Sequence, residues 1–195
     1  MLNARPRSAN DNFVLFSSSP FRPSVEHSST AKLWRPGAAQ ARYVALNDPA
    51  TLVVTDFTRE PPATVTEDRP IDDALQDMMV SGVRALVVVC GDLVSGLITS
   101  YDIQGERPLQ FLRASTCTRH DEIKVRHIMT PWDRVPKLDW SRLSVARVRD
   151  VADLFSNSDA SHWVVVEYVK TNGAFVRALI SRTRLYRQLG RQIGC

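Results

Sequence analysis

The sequence predicts an α/β protein of the α+β type. Two β-α-β-β-α repeats would pack sheet to sheet with pseudo-two-fold symmetry, behind an irregular N-terminal tail. Three observations predict it. An amphipathic helix, a β-branched strand and a tight hairpin occur twice in the same order. Each copy, at roughly sixty residues, is too small to bury its apolar face alone. The first forty or so residues hold few apolar side chains to offset the entropy of ordering them.

The first copy opens with a short extended piece, Leu52 to Asp56, before Pro61-Pro62. Ile71, Ala74, Leu75, Met78 and Met79 then recur at helical spacing. Pro70 suits a first helical position, Asp72 and Asp73 suit the positive end of the helix dipole, and Gly82 suits a stop. Ala85 to Val89 reads as a buried strand, Gly91-Asp92 as a turn, and Leu93 to Thr99 as its partner, leading into another helix. Cys90, inside this apolar pattern, reads as a small core residue.

A connection follows through Gly105 to Pro108 and Ala114 to Asp121, with a short helix at Leu109 to Arg113. The second copy repeats the order. Val125 to Met129 is its extended piece before Pro131, and Val148, Val151, Ala152 and Phe155 mark one helix face. Trp163 to Val166 forms the strand, Asn172-Gly173 is a type I′ hairpin signal, and Phe175 to Ser181 returns. A last helix through Leu185 and Leu189 stops at Gly190. The segments are residues 1–45 for the tail, 46–115 for the first repeat, 116–124 for a linker and 125–195 for the second repeat.

Composition excludes several function classes. The 195 residues are 44% hydrophobic, yet the longest apolar run, Ala85 to Cys90, is far below the ~20 residues that span a bilayer. The apolar patch Phe13 to Phe16 is too short for a secretory signal. The Ser-, Pro- and Arg-rich start has a faint likeness to an organellar transit peptide, set against the simpler reading of a disordered tail. Three cysteines (Cys90, Cys117, Cys195) and four histidines (His27, His120, His127, His162) show no metal spacing, so a reducing, cytoplasmic setting without structural zinc is expected. The net charge of +4 sits in the tail, where Arg5, Arg7, Arg22, Lys32, Arg35 and Arg42 face only Asp11 and Glu26. Nucleic acid is therefore not expected as a partner for the fold, although Lys170, Arg177, Arg182, Arg184, Arg187 and Arg191 follow Glu167 without an acid. No nucleophile elbow, zincin helix or Gly-rich phosphate loop occurs, and no enzyme is expected.

The VRHIMTP opening of the second copy, the helix before GVRALVVV, and GLITSYDI at the end of the first copy's last strand together resemble a known family. It is the tandem pair of CBS domains, or Bateman module, and the resemblance spans Leu52 to Leu189. It implies a regulatory module that binds adenosine-containing ligands such as AMP, ADP, ATP, S-adenosylmethionine or dinucleotides between the repeats. It also implies a homodimer, with no required cofactor.

The family's ligand signature is met by Gly96-Leu97-Ile98-Thr99-Ser100-Tyr101-Asp102. By the resemblance, Asp102 accepts hydrogen bonds from the ribose hydroxyls and Thr99 contacts ribose or phosphate. The backbone at Val83, Arg84 and Ala85, with the turn at Thr64 to Thr66, flanks the adenine. The second copy, Ala178-Leu179-Ile180-Ser181-Arg182-Thr183-Arg184, has Arg184 in place of the acid, and a guanidinium offers no acceptor. At most one ordinary site per chain is expected, with Arg182 and Arg184 as possible phosphate contacts.

Each of these has a simpler reading. Thr99 and Asp102 fit a capping box that needs no ligand, and Arg182 and Arg184 fit a solvated surface. Trp163 reads as core or as a lining residue of the second cleft, and His162 as an exposed edge residue. Functionally, a stand-alone module signalling to an unknown effector protein stands beside a ligand-free dimerisation scaffold and, third, nucleic-acid association through the tail.

Overall fold

Two four-stranded sheets, each completed by a strand from the other repeat, organise the chain. The computed structural model describes residues 43–115, 119–169 and 173–190, which fall within one compact unit. Residues 1–42 of the tail, Cys117, Asn172 and Cys195 lie outside the described residues, and with them the hairpin signal at Asn172.

The first repeat runs from a 3-10 turn (Ala50–Val53) through β1 (Thr55–Asp56), β2 (Thr64–Thr66), α1 (Ile71–Ser81), β3 (Ala85–Cys90) and β4 (Leu93–Thr99) to α2 (Ser100–Gln104). α3 (Arg107–Ala114) leads on to α4 (Val125–Ile128), β5 (Thr130–Pro131), β6 (Lys137–Asp139) and α5 (Trp140–Val145). α6 (Val148–Ser156), β7 (His162–Val169), β8 (Gly173–Ser181) and α7 (Arg182–Gln188) complete the second repeat. The sheets have the orders β2-β3-β4-β5 and β1-β8-β7-β6. In each, a short parallel strand flanks an antiparallel hairpin, and the hairpins share an irregularity, at Val88/Val89 and at Val165/Val166.

The apolar run of β3 lacks strand alternation because both of its faces are buried. Leu86 and Val88 join Ile98 against Ile71, Ala74 and Met78 of α1. Ala85 and Val87 join Leu97 on the opposite face, against Val164 and Val166 of β7 and Val135. That second layer is the sheet-to-sheet core. In the second repeat, Val165 and Ile180 face Val148, Val151 and Phe155 of α6. The helix forms as expected, with Gly82 closing α1 at a left-handed φ of 66°, but Met79, expected in its apolar pattern, is exposed because it lies off the face that Ile71, Ala74 and Met78 bury. Pro70 stands one position earlier than expected, as the N-cap residue.

The extended pieces expected before each repeat take a different form. Residues 50–53 are a 3-10 turn and only Thr55–Asp56 is strand, while residues 125–128 are helical. Both pieces also cross over. β1 pairs with β8 and β5 pairs with β4. Val44, Ala50 and Val53 are buried in the second repeat's core, and Ile123, Val125 and Ile128 in the first's. The backbone ties match: Ala50 N–H donates to Ala146 O and Ile71 N–H to Ile123 O, both at 3.0 Å. Residues 44–56 and 123–131 thus complete the repeat opposite to the one they precede.

Cys90 is exposed at the hairpin end of β3, not a core residue. No helix among the described residues is long and apolar enough to cross a membrane.

Gly96 is the contact point of the exchange. A Cβ there would lie 2.5 Å from the backbone oxygen of Thr130 and 3.1 Å from Met129 Sδ. Gly96→Ala is expected to lower unfolding free energy by about 1–3 kcal/mol through this overpacking, measured by urea denaturation. An unchanged midpoint would show that β5 yields freely.

Candidate functional site

Thr99 ends β4 and caps α2, and its geometry fixes Asp102. The Thr99 backbone N–H and hydroxyl each donate to Asp102 Oδ2 at 2.8 Å, and the Asp102 N–H donates to Thr99 Oγ1 at 3.3 Å. The capping box is therefore formed. The other carboxylate oxygen, Oδ1, lies 2.9 Å from Arg107 Nη1. Asp102 is pinned, with 12% of its side chain exposed.

Thr99 and Asp102 open onto a cleft of about 550 Å³ between the repeats, within the ~300–1,000 Å³ typical of small-molecule sites. Its opposite wall comes from the second repeat: Pro136, the turn Asp159-Ala160-Ser161, His162 and Arg182. Arg107, Thr130 and Arg134 form its third side. Arg182 is a candidate from its motif position, but sequence reasoning missed Arg107, Thr130, Arg134, Pro136 and the turn at Asp159, because no spacing along the chain links them to Thr99.

Val83, Arg84 and Ala85 go elsewhere. Their backbone abuts Thr99, with Ala85 in register opposite it and Ser100 N–H donating to Arg84 O at 2.9 Å. All three, however, line a second cleft of about 580 Å³ together with Phe57, Glu60, Ser181, Arg184 and Arg187. The lining expected around one ligand is thus divided between two clefts. Thr64 and Thr66 are exposed on β2, not in a turn, and line neither cleft.

The second repeat's motif differs as its sequence requires. Ser181 precedes α7 without a side-chain cap hydrogen bond, and Arg184 has no acceptor to supply the reciprocal bond of a capping box. Arg184 Nη1 instead donates to Thr55 Oγ1 at 2.6 Å, holding the exchanged strand β1. Arg182 donates from Nε to Ala160 O at 3.1 Å and from Nη2 to Ser158 O, with its guanidinium 5.5 Å from the Phe155 ring. Arg177 bonds Asp56 and Glu167 and lies over Trp140. Arg177, Arg182 and Arg184 are therefore turned inward, while Arg187 is exposed. Trp163 packs partly buried against the second core and has a buried Nε1 without an acceptor.

His162 is not an exposed edge residue. It is buried, starts β7 opposite Ser181, and contributes to both clefts, with Nδ1 2.9 Å from Ser161 Oγ. Burial pushes its pKa from 6.5 down to about 4. The ring is neutral in the folded protein at neutral pH, while the unfolded chain takes up the proton near 6.5. Stability from this residue is thus full above that value and is lost as pH falls toward 4. Carboxylates held below 3.8, such as Asp56 and Asp139, protonate under that window. Between pH 7 and 4.5, wild type is expected to lose more stability than His162→Gln, by up to about 3 kcal/mol. Equal slopes in denaturant titrations across that range would contradict the buried neutral ring.

Residues 54–107 match the family model of the CBS domain. A protein with CBS domains from Burkholderia ambifaria superposes with a TM-score of 0.53 at 22% identity, covering 76% of this chain and 98% of that one. A conserved protein from Pyrococcus horikoshii gives 0.52 at 18% identity, covering 78% and 99%. A GMP reductase from Trypanosoma brucei in complex with guanosine 5'-monophosphate gives 0.50 at 17% identity, over 78% of this chain but 28% of the enzyme. No curated protein matches the sequence. Residues 54–107 thus match a CBS domain, and the chain, with two such repeats facing each other across paired clefts, has the fold of a tandem CBS-pair protein.

Proposed function

We propose that this chain is a regulatory module that binds an adenosine-containing ligand in the cleft at Thr99 and Asp102 and thereby alters its engagement with a partner protein. The observation that carries the reading is the placement of a fixed, partly buried carboxylate and hydroxyl of one repeat across a ligand-sized cleft from the other repeat. A carboxylate accepts from two hydroxyls at once, which suits the ribose diol. The choice of adenosine follows the likeness of GLITSYD to the family signature. A ligand touching both repeats favours the arrangement it binds more tightly, by no more than its difference in affinity. In the second cleft Arg184 removes the ribose acceptor, so one such site per chain is expected, and Val83, Arg84 and Ala85 would serve that other cleft.

A second reading is a dimerisation scaffold without a ligand. Two observations favour it: both Asp102 oxygens already have partners, and Met79 and Val80 of α1 and Tyr101 of α2 are exposed apolar side chains.

Titration calorimetry with AMP, ADP, ATP and S-adenosylmethionine separates the two, using wild type and Asp102→Ala. Binding by wild type and at least tenfold weakening in a still-folded Asp102→Ala are expected. If none binds, and the substitution only removes the ~0.5–2 kcal/mol of a helix cap, the scaffold reading stands.

A further inference from the structure

We propose that Arg107 reads the phosphate of the ligand in the Thr99–Asp102 cleft, so that this site selects a phosphorylated nucleoside over the bare nucleoside. The inference rests on the nucleotide reading above and adds the residue that decides specificity. Its basis is a count of donors. Three acceptors crowd one nitrogen of Arg107: Asp102 Oδ1 at 2.9 Å, Ile128 O at 2.8 Å and Thr130 Oγ1 at 3.1 Å all face Nη1. That nitrogen has only two hydrogens. The remaining fork, Nε and Nη2, has no acceptor among the described residues, and 45% of the side chain is exposed. A planar guanidinium anchored through one nitrogen, with its other edge open, is disposed to take an anion in bidentate fashion.

The surroundings support the same direction. Arg107, Thr130 and Arg134 line both this cleft and an adjoining hollow of about 370 Å³, to which Gln110, Phe111 and His127 contribute and no acid does. Arg134 is exposed, and its side chain has no hydrogen bond or ion pair among the described residues. The carboxylates of the cleft, Asp102 and Asp159, lie outside that hollow. A ligand with its diol at Asp102 would therefore extend its anionic end past Arg107 toward Arg134. Arg182, the candidate by motif position, has already committed Nε and Nη2 to the carbonyls of Ala160 and Ser158.

The test compares adenosine with ADP by calorimetry on wild type, Arg107→Gln and Arg134→Gln, with melting temperatures recorded for each. Arg134→Gln removes a charge without removing an internal contact, which keeps the test valid if Arg107→Gln folds poorly. Wild type is expected to bind ADP about tenfold or more tighter than adenosine, in line with charge-assisted bonds. Arg107→Gln should bring the two affinities within about threefold of each other, with a smaller change in the same direction for Arg134→Gln. Equal wild-type affinities would overturn the proposal and leave the nucleoside reading standing, as would an Arg107→Gln protein that weakens both ligands alike or keeps the ratio. Failure of both ligands to bind wild type would remove the nucleotide reading itself, and this inference with it.

Discussion

The reciprocal exchange of two short segments is the constraint on which the rest of the structure depends. Residues 50–56 complete the sheet and core of the second repeat, and residues 123–131 complete those of the first. A unit of this size cannot bury enough apolar surface unaided. Borrowing Ala50 and Val53 in one direction, and Ile123, Val125 and Ile128 in the other, closes both cores together. The close approach at Gly96 follows from it, because β5 lies against β4 where a side chain would strike Thr130. In the second repeat the corresponding Ala178 is accommodated, fully buried, beside β1.

The same exchange builds the clefts. Once the sheets stack through Ala85, Val87, Leu97, Val164 and Val166, the polar end of each hairpin projects toward the other repeat. The Thr99–Asp102 box then faces the turn before β7, and Ser181 with Arg184 faces the turn before β3. His162 stands between the clefts and touches both, which makes it a shared wall of neutral, buried imidazole. A change in the relative setting of the sheets would alter both clefts together.

The arginines show how little a charge count reveals about electrostatics. Arg177, Arg182 and Arg184 look like a basic run in the sequence, yet they spend donors on Asp56, Glu167, backbone carbonyls and Thr55. Each ties a loop or an exchanged strand to its sheet. Arg107 and Arg134, unremarked in the sequence, keep donors facing the cleft region. Hydrogen-bond accounting, rather than net charge, separates the structural guanidiniums from those available to an anion.

The sequence by itself determined the repeat, the buried strands and the helices. Local periodicity and turn chemistry carry that information: Ile71, Ala74 and Met78 at helical spacing, ALVVVC as a doubly buried strand, and Gly82 as a stop. It also determined the chemistry of the two motifs, since Asp102 can accept where Arg184 cannot. Only the tertiary structure decided the partners. The exchange of residues 50–56 and 123–131, the separation of Val83–Ala85 from Asp102, the burial of His162 and the exposure of Cys90 all depend on contacts between residues far apart in the chain. No period or spacing encodes these, because side-chain direction at a strand end is set by the sheet it joins. Here that sheet belongs in part to the opposite repeat.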